Sequence, residues 1–209
     1  MKDQHTLIIL NFIKGIIMKK YITLAAFLAM FIVGASSQAA EYDIDAAGAH
    51  SSIQFKIKHL GYAWATGRFN TMKGRFSYDE KNPATSKIEI SIDTSSVDTN
   101  HAELNKHLRS KDFLNVSKYP MAKFSSTSFK ETGGSKAVLK GKLTLRGITK
   151  NITINLEHVG HGADPWGGYR RGLAGSTTLT LKDFGIPMDL GPASRQVEMF
   201  LAIEGIRRK

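Results

Sequence analysis

The chain has 209 residues and no cysteine, and its 29 basic residues outnumber its 18 acidic residues, which gives a formal net charge of +11. The lack of cysteine excludes disulfide bonds, thiolate nucleophiles and cysteine-bound metals, so packing and hydrogen bonds alone must stabilise the fold. The positive charge is spread along the chain, which favours anionic partners such as lipid headgroups; plain solubility is the alternative explanation.

Residues 1–40 are predicted to be a leader that includes a secretory signal peptide beginning at Met18. Lys19 and Lys20 precede an apolar run over residues 21–35, and small residues follow at the usual cleavage positions. The run is short for a membrane span, so we expect no stable span after cleavage, with an N-terminal anchor as the alternative. Residues 41–209 then form one domain in the periplasm, with 25 basic and 17 acidic residues and a net charge of +8. An exported protein is not expected to bind nucleic acid.

Most of residues 41–209 alternate apolar and polar side chains, which is typical of strands with one buried face. Strands are predicted over residues 52–58, 74–78 and 87–93, and the second is expected to pair with the chain around residues 67–69. Apolar side chains from these and neighbouring segments are the candidates to line an interior cavity: Ile53, Phe55, Ile57, Phe69, Phe76, Ile88, Ile90, Ile92 and Phe124. His59 continues the first inward phase and is a candidate headgroup ligand, although a structural histidine bonded to the backbone is the simpler interpretation.

One segment breaks the alternation and predicts a short helix from about His101 to Ser110. Asn100 followed by Glu103 resembles a capping box, which marks a helix start. Leu104 and Leu108 are four residues apart and share one face. We therefore expect both leucines to pack against the sheet and to join the cavity lining.

The second half of the chain predicts further strands joined by short turns. Residues 139–145 and 152–156 form a predicted hairpin around Arg146-Gly147, and residues 173–181 and 197–203 are two more strands. Many alternating strands with short turns indicate an all-β sandwich or antiparallel barrel. Small inward residues such as Gly141 and Gly175 leave room inside it.

Residues 164–172 read DPWGGYRRG, a composition that suits a functional site or a tight turn. Pro165 fixes φ, the glycine pair permits positive φ, and Asp164 can accept a turn hydrogen bond. We interpret the stretch as a turn in which Trp166 plugs an end of the barrel. The alternative makes Arg170 a ligand for a lipid headgroup.

No catalytic set and no metal site is predicted. His101 and His107 lie on different helix faces, and His158 with His161 falls short of the three or four ligands that zinc usually has. The chain has no Gly-x-Ser-x-Gly elbow and no phosphate-binding glycine loop before a helix. We expect a protein that is not an enzyme, although catalytic groups can also assemble from distant positions.

Seven short motifs in a fixed order resemble those of the YceI-like family of bacterial periplasmic lipid-binding proteins. They are HLG at 59–61, SVDTNHA at 96–102, KHLRSKDFLN at 106–115, KYP at 118–120, GKLTL at 141–145, DPWGG at 164–168 and LGPAS at 190–194. The resemblance runs from about Tyr42 to the C-terminus. It implies an eight-stranded antiparallel, lipocalin-like barrel with a short helical insertion. It also implies an apolar cavity that holds a polyisoprenoid non-covalently, such as a quinone or prenyl phosphate, and no covalent cofactor.

The expected function is therefore a periplasmic binding protein for a long-chain isoprenoid or fatty amphiphile, used in transport, storage or stress protection. Each buried methylene contributes roughly 0.8 kcal/mol, so a long tail supplies affinity with few polar contacts. Two alternatives stay open: an envelope enzyme acting on a prenyl diphosphate, and an interaction protein whose own side chains fill the barrel. A homodimer is compatible with all three.

Overall fold

The computed structural model describes residues 38–47 and 50–209, so residues 1–37, with nearly all of the predicted leader, lie outside it. The strands are β1 Ala40–Ile44, β2 Ser52–His59, β3 Ala63–Phe69, β4 Met72–Tyr78, β5 Lys87–Asp93, β6 Val97–Asp98, β7 Met121–Gly133, β8 Lys136–Leu145, β9 Ile148–Ala163, β10 Tyr169–Thr180 and β11 Gln196–Arg207. The helix α1 spans Ala102–Arg109, and short 3₁₀ helices span Pro83–Thr85, Thr94–Ser96, Leu181–Phe184 and Pro192–Ser194. No helix within the described ranges is both long and apolar enough to cross a membrane.

Eight antiparallel strands close into a barrel in the order β1-β4-β5-β7-β8-β9-β10-β11. The ring closes because β1 pairs with β4 along one edge and with β11 along the other. Since β1 has only five residues, the remaining edge of β11 pairs with β2, which is followed by β3 and β6. The predicted all-β fold, an eight-stranded antiparallel barrel with one short helix, is confirmed.

The predicted pairing of residues 67–69 with residues 74–78 is wrong. β3 pairs with β2 and β6, whereas β4 pairs with β1 and β5. The connection between them is tied to Ser96, because the backbone N–H of Asn70 donates to the Ser96 carbonyl at 3.1 Å and that of Thr71 donates to its hydroxyl at 3.0 Å. These bonds direct the chain into another part of the wall, so it cannot fold back as a hairpin.

The local signals for α1 and for the turn between β8 and β9 predict both features closely, whereas β9 is much longer than the return strand predicted at residues 152–156. Arg146 and Gly147 have φ values of 52° and 74°, as a two-residue type I′ turn requires. The helix begins one residue later than the capping-box pattern suggests. Its N-cap is His101, whose Nδ1 accepts a hydrogen bond from the Leu104 N–H at 3.3 Å.

The two ends of the barrel differ in their side chains. The open end is where β2 ends at His59, and the closed end is where β10 begins at Tyr169. An inward-facing cation seals the closed end, because Arg171 is only 3% exposed and its guanidinium lies 4.0 Å from the centre of the Tyr78 ring. Its N–H also donates to the Glu80 carboxylate.

A hydrogen-bonded group lies beside this cation and completes the seal. The Tyr78 hydroxyl donates to Glu131 at 2.8 Å, and His158 Nε2 lies 2.9 Å from the same carboxylate oxygen. The His158 ring also packs edge-on against Tyr78, with 5.4 Å between ring centres. Polar side chains thus close this end, and their hydrogen-bonding groups have partners except for the buried Nε of Arg171.

Residues 164–168 form the turn between β9 and β10 at the closed end. The Asp164 N–H donates to the Gly168 carbonyl at 3.0 Å, and Asp164 Oδ1 accepts from the N–H groups of Trp166 and Gly168 at 3.0 and 2.7 Å. The interpretation of this stretch as a turn therefore fits the structure. The prediction that Trp166 plugs the barrel is wrong, because its side chain is 77% exposed and Arg171 fills that place.

From the hydrogen bonds of this turn we expect Asp164→Asn to change the stability of the protein in a pH-dependent way. The Gly168 N–H, and then the Arg170 guanidinium, hold the pKa of Asp164 below its usual value. A carboxyl with a lowered folded-state pKa stabilises the fold above its unfolded-state pKa, and this stabilisation is lost as pH falls through the folded-state value. Asp164→Asn should lower the urea midpoint at pH 7, and its difference from the parent protein should shrink below about pH 4.

Trp166→Ala is the matched control for this measurement, because it removes a large side chain from the same turn without touching these hydrogen bonds. It should leave the urea midpoint nearly unchanged at both pH values. A larger loss for Trp166→Ala than for Asp164→Asn would contradict the assignment.

From the contacts at the closed end we expect Tyr78 to ionise only at high pH, with an effect on stability. Burial, and then the hydrogen bond to Glu131, raise the pKa of Tyr78 to about 12. Because this exceeds the unfolded-state value, the contribution to stability is complete below about pH 10 and is lost as pH rises through about 12. Tyr78→Phe should remove the last phenol to ionise in an absorbance titration and flatten the loss of stability over that interval. An unchanged final titration step would show that another tyrosine ionises last.

Candidate ligand-binding site

Two apolar cavities lie one behind the other inside the barrel. The mouth cavity has a volume of about 180 Å³ and reaches the open end. The deep cavity has a volume of about 80 Å³ and lies nearer the closed end. Four side chains line both cavities and separate them: Ile92, Leu143, Leu179 and Met199. Met199 is unbranched and flexible, so a change of its rotamer can join the two spaces.

The structure brings nearly all of the predicted lining residues together. Those of the mouth cavity are Phe55, Ile57, Phe69, Leu104 and Leu108, those of the deep cavity are Ile53, Ile88, Ile90 and Phe124, and Ile92 is shared. Period-two alternation found the strand residues because it assigns each side chain to a face. The helical spacing of Leu104 and Leu108 identified the two residues of α1 that line the mouth cavity.

Phe76 is the exception among the predicted apolar lining residues. It is 2% exposed, and its ring stacks on Tyr42 with 4.7 Å between ring centres. Gly205 makes room for the ring, because a Cβ at that position would collide with it. Phe76 therefore packs the barrel interior and lines neither cavity.

An aromatic ring also fills the space that Gly141 was predicted to leave inside the barrel. Gly141 faces inward as predicted, but the Phe124 ring lies across it and would collide with a Cβ there. Gly175 does line the deep cavity. A Cβ at Gly175 would nevertheless come within 2.9 Å of Leu156, so a small inward residue does not by itself indicate free volume.

Several lining residues of the mouth cavity lie outside the strands and were missed. They are Phe113, Leu114, Ile186 and Leu190. They belong to irregular segments that follow α1 and β10, where neither period two nor period 3.6 applies. In the sequence they are apolar residues outside the alternating segments, and three of them belong to the KHLRSKDFLN and LGPAS motifs.

Hydrogen bonds fix α1 over the mouth cavity. Arg109 donates from Nε to the Ser95 carbonyl at 2.7 Å and from Nη2 to the Val97 carbonyl at 2.9 Å. In the middle of the helix, Asn105 Oδ1 accepts from the Thr99 N–H at 2.7 Å. These bonds attach the helix to the chain around β6, so Leu104 and Leu108 have a defined place above the cavity.

The two predicted headgroup ligands lie at opposite ends of the barrel. His59 lines the mouth cavity together with Lys58, and both side chains are exposed at its rim. Arg170 lies near the closed end and lines neither cavity. Its guanidinium bonds to Asp45 at 2.9 Å, to Asp164 at 2.9 Å and to Glu204.

These three carboxylates raise the pKa of Arg170 above its usual value, and they leave its charge balanced within the protein. The prediction of Arg170 as a headgroup ligand does not fit this position, because the guanidinium bonds to the protein's own carboxylates and lines neither cavity. Its place outside the cavities could not be deduced from the sequence, because Asp45 and Glu204 are far from it along the chain.

The same ion-pair group contains the one set of potential metal ligands found among the described residues. Oxygen or nitrogen atoms of Asp45, His50 and Glu204 lie within 4.8 Å of one another. The Arg170 guanidinium contacts both carboxylates, so a cationic side chain already lies within this group. The arrangement is that of an ion-pair network.

The histidines inside and beside the barrel do not form a catalytic arrangement with a serine. His158 bonds to Glu131, and His161 Nδ1 lies 2.6 Å from the Tyr169 hydroxyl. Across residues 38–47 and 50–209, no hydrogen bond joins a serine hydroxyl to a histidine ring. The geometry supports binding of an apolar chain more directly than it supports catalysis.

Comparison with known proteins places this barrel in a family. The sequence profile of the YceI-like domain matches residues 42–204. A UPF0312 protein of Pseudomonas aeruginosa is 57% identical over 190 residues, which cover 91% of this chain and 98% of that protein.

Two solved structures share the fold at low sequence identity. BcnA of Burkholderia cenocepacia has a TM-score of 0.68 at 21% identity, over 78% of this chain and 99% of that one. A domain from Saccharophagus degradans, described as polyisoprenoid-binding and implicated in plant cell wall breakdown, has a TM-score of 0.58 at 15% identity, over 80% and 98% of the two chains. The sequence match, together with the barrel and its helix, shows that the chain belongs to the YceI-like domain family.

Proposed function

We propose that this protein binds one long-chain isoprenoid or similar amphiphilic lipid inside the barrel. The observation that carries the proposal is an apolar interior that opens at one end and is sealed by Arg171 at the other. The tail extends toward the closed end, and the headgroup stays at the open end. The description of the Saccharophagus domain as polyisoprenoid-binding supports the same class of ligand.

The length of the interior suits a membrane-lipid tail. Side chains of β11 from Val197 to Ile203 line the two cavities in succession. Six residues of strand advance roughly 20 Å, compared with roughly 15 Å for half the hydrocarbon core of a bilayer. Neither cavity alone reaches the roughly 300 Å³ typical of small-molecule sites. The ligand must therefore displace the separating side chains, of which Met199 is the most adaptable.

The polar groups at the rim fit an oxygen-rich headgroup. His59 can hydrogen-bond to a quinone carbonyl or a phosphate oxygen, and the Lys58 ammonium favours the anionic phosphate. Because the cavity walls are almost wholly apolar, burial of the tail supplies most of the affinity. The headgroup contacts then orient the ligand.

The proposed role is that of a periplasmic carrier or store, with protection of the lipid under stress as a consequence of enclosing it. The predicted signal peptide, after whose cleavage the mature protein would begin near Ala40 or Glu41, supports this location. N-terminal sequencing of the protein from a periplasmic fraction tests it. Full-length protein retained in the inner membrane would contradict it.

Native mass spectrometry and lipid extraction of protein purified from its own host test the proposed ligand. The expected result is a non-covalent adduct whose extracted mass and fragmentation are those of an isoprenoid lipid. Protein that carries no lipid and binds no added long-chain prenyl compound would favour the filled-barrel alternative.

Ile90→Phe tests where the tail lies. Ile90 is buried at the deep cavity, so the larger ring should shorten the space, and overpacking should cost about 1–3 kcal/mol of stability. Affinity for a long prenyl chain should fall about four-fold for each methylene left unburied. Affinity for a short-chain analogue should fall less, as measured by competition with a fluorescent lipid.

Ser91→Phe is the matched control, because Ser91 is the next residue of β5 and faces the opposite side of the wall. It should leave both affinities unchanged. Equal long-chain affinity in Ile90→Phe and the parent protein would show that no tail reaches residue 90.

A further inference from the structure

The β2–β3 hairpin exposes an unusual set of apolar side chains beside the cavity mouth. At its tip, Leu60 is 48% exposed and Tyr62 is 90% exposed, and Trp64 follows at 49%. Phe200, on the adjoining strand β11, is 40% exposed. We call the outer surface formed by Lys56, Lys58, Leu60, Tyr62, Trp64 and Phe200 the docking face.

The tip holds its leucine outward in a backbone conformation that costs energy. Leu60 has a φ of 54°, which is uncommon for a bulky residue. The Leu60 N–H donates to the Ser194 hydroxyl at 3.2 Å, and that hydroxyl donates to the Lys58 carbonyl at 2.7 Å. Because Ser194 is buried, these bonds fix the conformation. Such strain persists where surrounding structure enforces it, and it is concentrated at functional sites.

Lysines flank the aromatic rings of this surface. Lys56 Nζ lies 4.6 Å from the centre of the Trp64 ring and 5.3 Å from that of Phe200, and Lys58 Nζ lies 5.5 Å from Trp64. One carboxylate lies among them, Glu198, at 3.1 Å from Lys56. Tryptophan and tyrosine favour the interfacial region of a bilayer, and lysines are attracted to anionic headgroups.

From these observations we infer that the docking face binds the surface of an anionic phospholipid bilayer, with Leu60 and Tyr62 entering the headgroup region. The mouth cavity then faces the membrane, since Lys58 and His59 belong to both its rim and the hairpin. A tail can pass between bilayer and barrel with little exposure to water. The biological purpose of this contact rests on the proposed lipid-binding function. The contact with a bilayer itself can be measured whether or not the barrel binds a lipid.

The chain supplies its own control, because it contains two tryptophans and they lie at opposite ends of the barrel. Trp166 is even more exposed than Trp64. It lies beside Arg170, whose charge is balanced by three carboxylates, so its surroundings do not attract an anionic surface. Each tryptophan can be observed alone in the Trp166→Phe or Trp64→Phe variant.

The experiment uses protein isolated from cells that express the full chain, mixed with vesicles of phosphatidylethanolamine and brominated phosphatidylglycerol. In Trp166→Phe, emission from Trp64 should shift to the blue and be quenched, and added salt should reverse both changes. In Trp64→Phe, emission from Trp166 should change little. If neither tryptophan is quenched, the inference is overturned, and a protein partner becomes the alternative for the docking face. Equal quenching of both would overturn the proposed orientation.

Two further variants test the side chains. Lys56→Gln should weaken binding to these vesicles about five-fold, whereas Lys136→Gln, at the other end of the barrel, should weaken it less. Leu60→Asn/Tyr62→Ser should abolish the shift of Trp64, and asparagine tolerates the positive φ at position 60. Val159→Ser removes an equally exposed apolar side chain away from the docking face and should leave vesicle binding intact.

Measuring the binding of a short-chain prenyl analogue in the absence of vesicles tests the proposed function separately from the docking inference. Leu60→Asn/Tyr62→Ser should retain that binding, because neither side chain lines a cavity. Ligand binding without vesicle binding in the parent protein would overturn only the docking inference. Vesicle binding without ligand binding would overturn only the proposed function.

Discussion

The structure depends on the double pairing of β1, which contributes five residues to the wall of the barrel. Hydrogen bonds to β4 on one side and β11 on the other convert an open sheet into a ring. Without that pairing, both neighbouring strands would present free edges, and no enclosed interior would exist. The shortness of β1 matters equally. It leaves part of β11 free to pair with β2, so the β2–β3 hairpin completes the wall toward the open end.

The two ends of the barrel follow from this arrangement and have different chemistry. At the closed end, the buried Arg171 packs on the Tyr78 ring, and the Tyr78 hydroxyl bonds to Glu131, so polar side chains form a seal. At the open end, apolar side chains from α1 and nearby loops surround a cavity and leave it without internal polar partners. An apolar tail can therefore enter from one end only. Because the hydrophobic effect is non-directional, such a site selects for length and width more strongly than for chemical detail.

The sequence predicts the parts of this structure that depend on local periodicity. Residues 87–93 alternate strictly, and the structure has β5 over the same residues. The spacing of Leu104 and Leu108 identified the helix face that lines the mouth cavity. The barrel itself came from the resemblance to a family, because alternation alone does not distinguish a sandwich from a closed ring.

Features set by long-range contacts could not be predicted in this way. Alternation correctly predicts that Phe76 faces inward. That its ring fills the interior and lines no cavity is evident only from its packing against Tyr42 and Gly205. Arg170 is adjacent to Arg171 in sequence, yet the strand turns one toward the outer ion-pair network and the other into the closed end. Which arginine faces inward depends on strand phase, and the charged residues at positions 170 and 171 carry no apolar signal that would reveal it.

The most direct test of the central claim is to locate the two ends of a bound lipid inside the barrel. Methyl NMR of the protein with a long-chain prenyl analogue can provide this, with a spin label attached either at the tail end or at the headgroup. The tail label should broaden the methyl signals of Ile88, Ile90 and Ile154, which line the deep cavity. The headgroup label should broaden those of Ile57 and Ala65 at the mouth cavity. The reverse pattern, or broadening confined to the outer surface, would contradict a lipid held tail-first in this barrel.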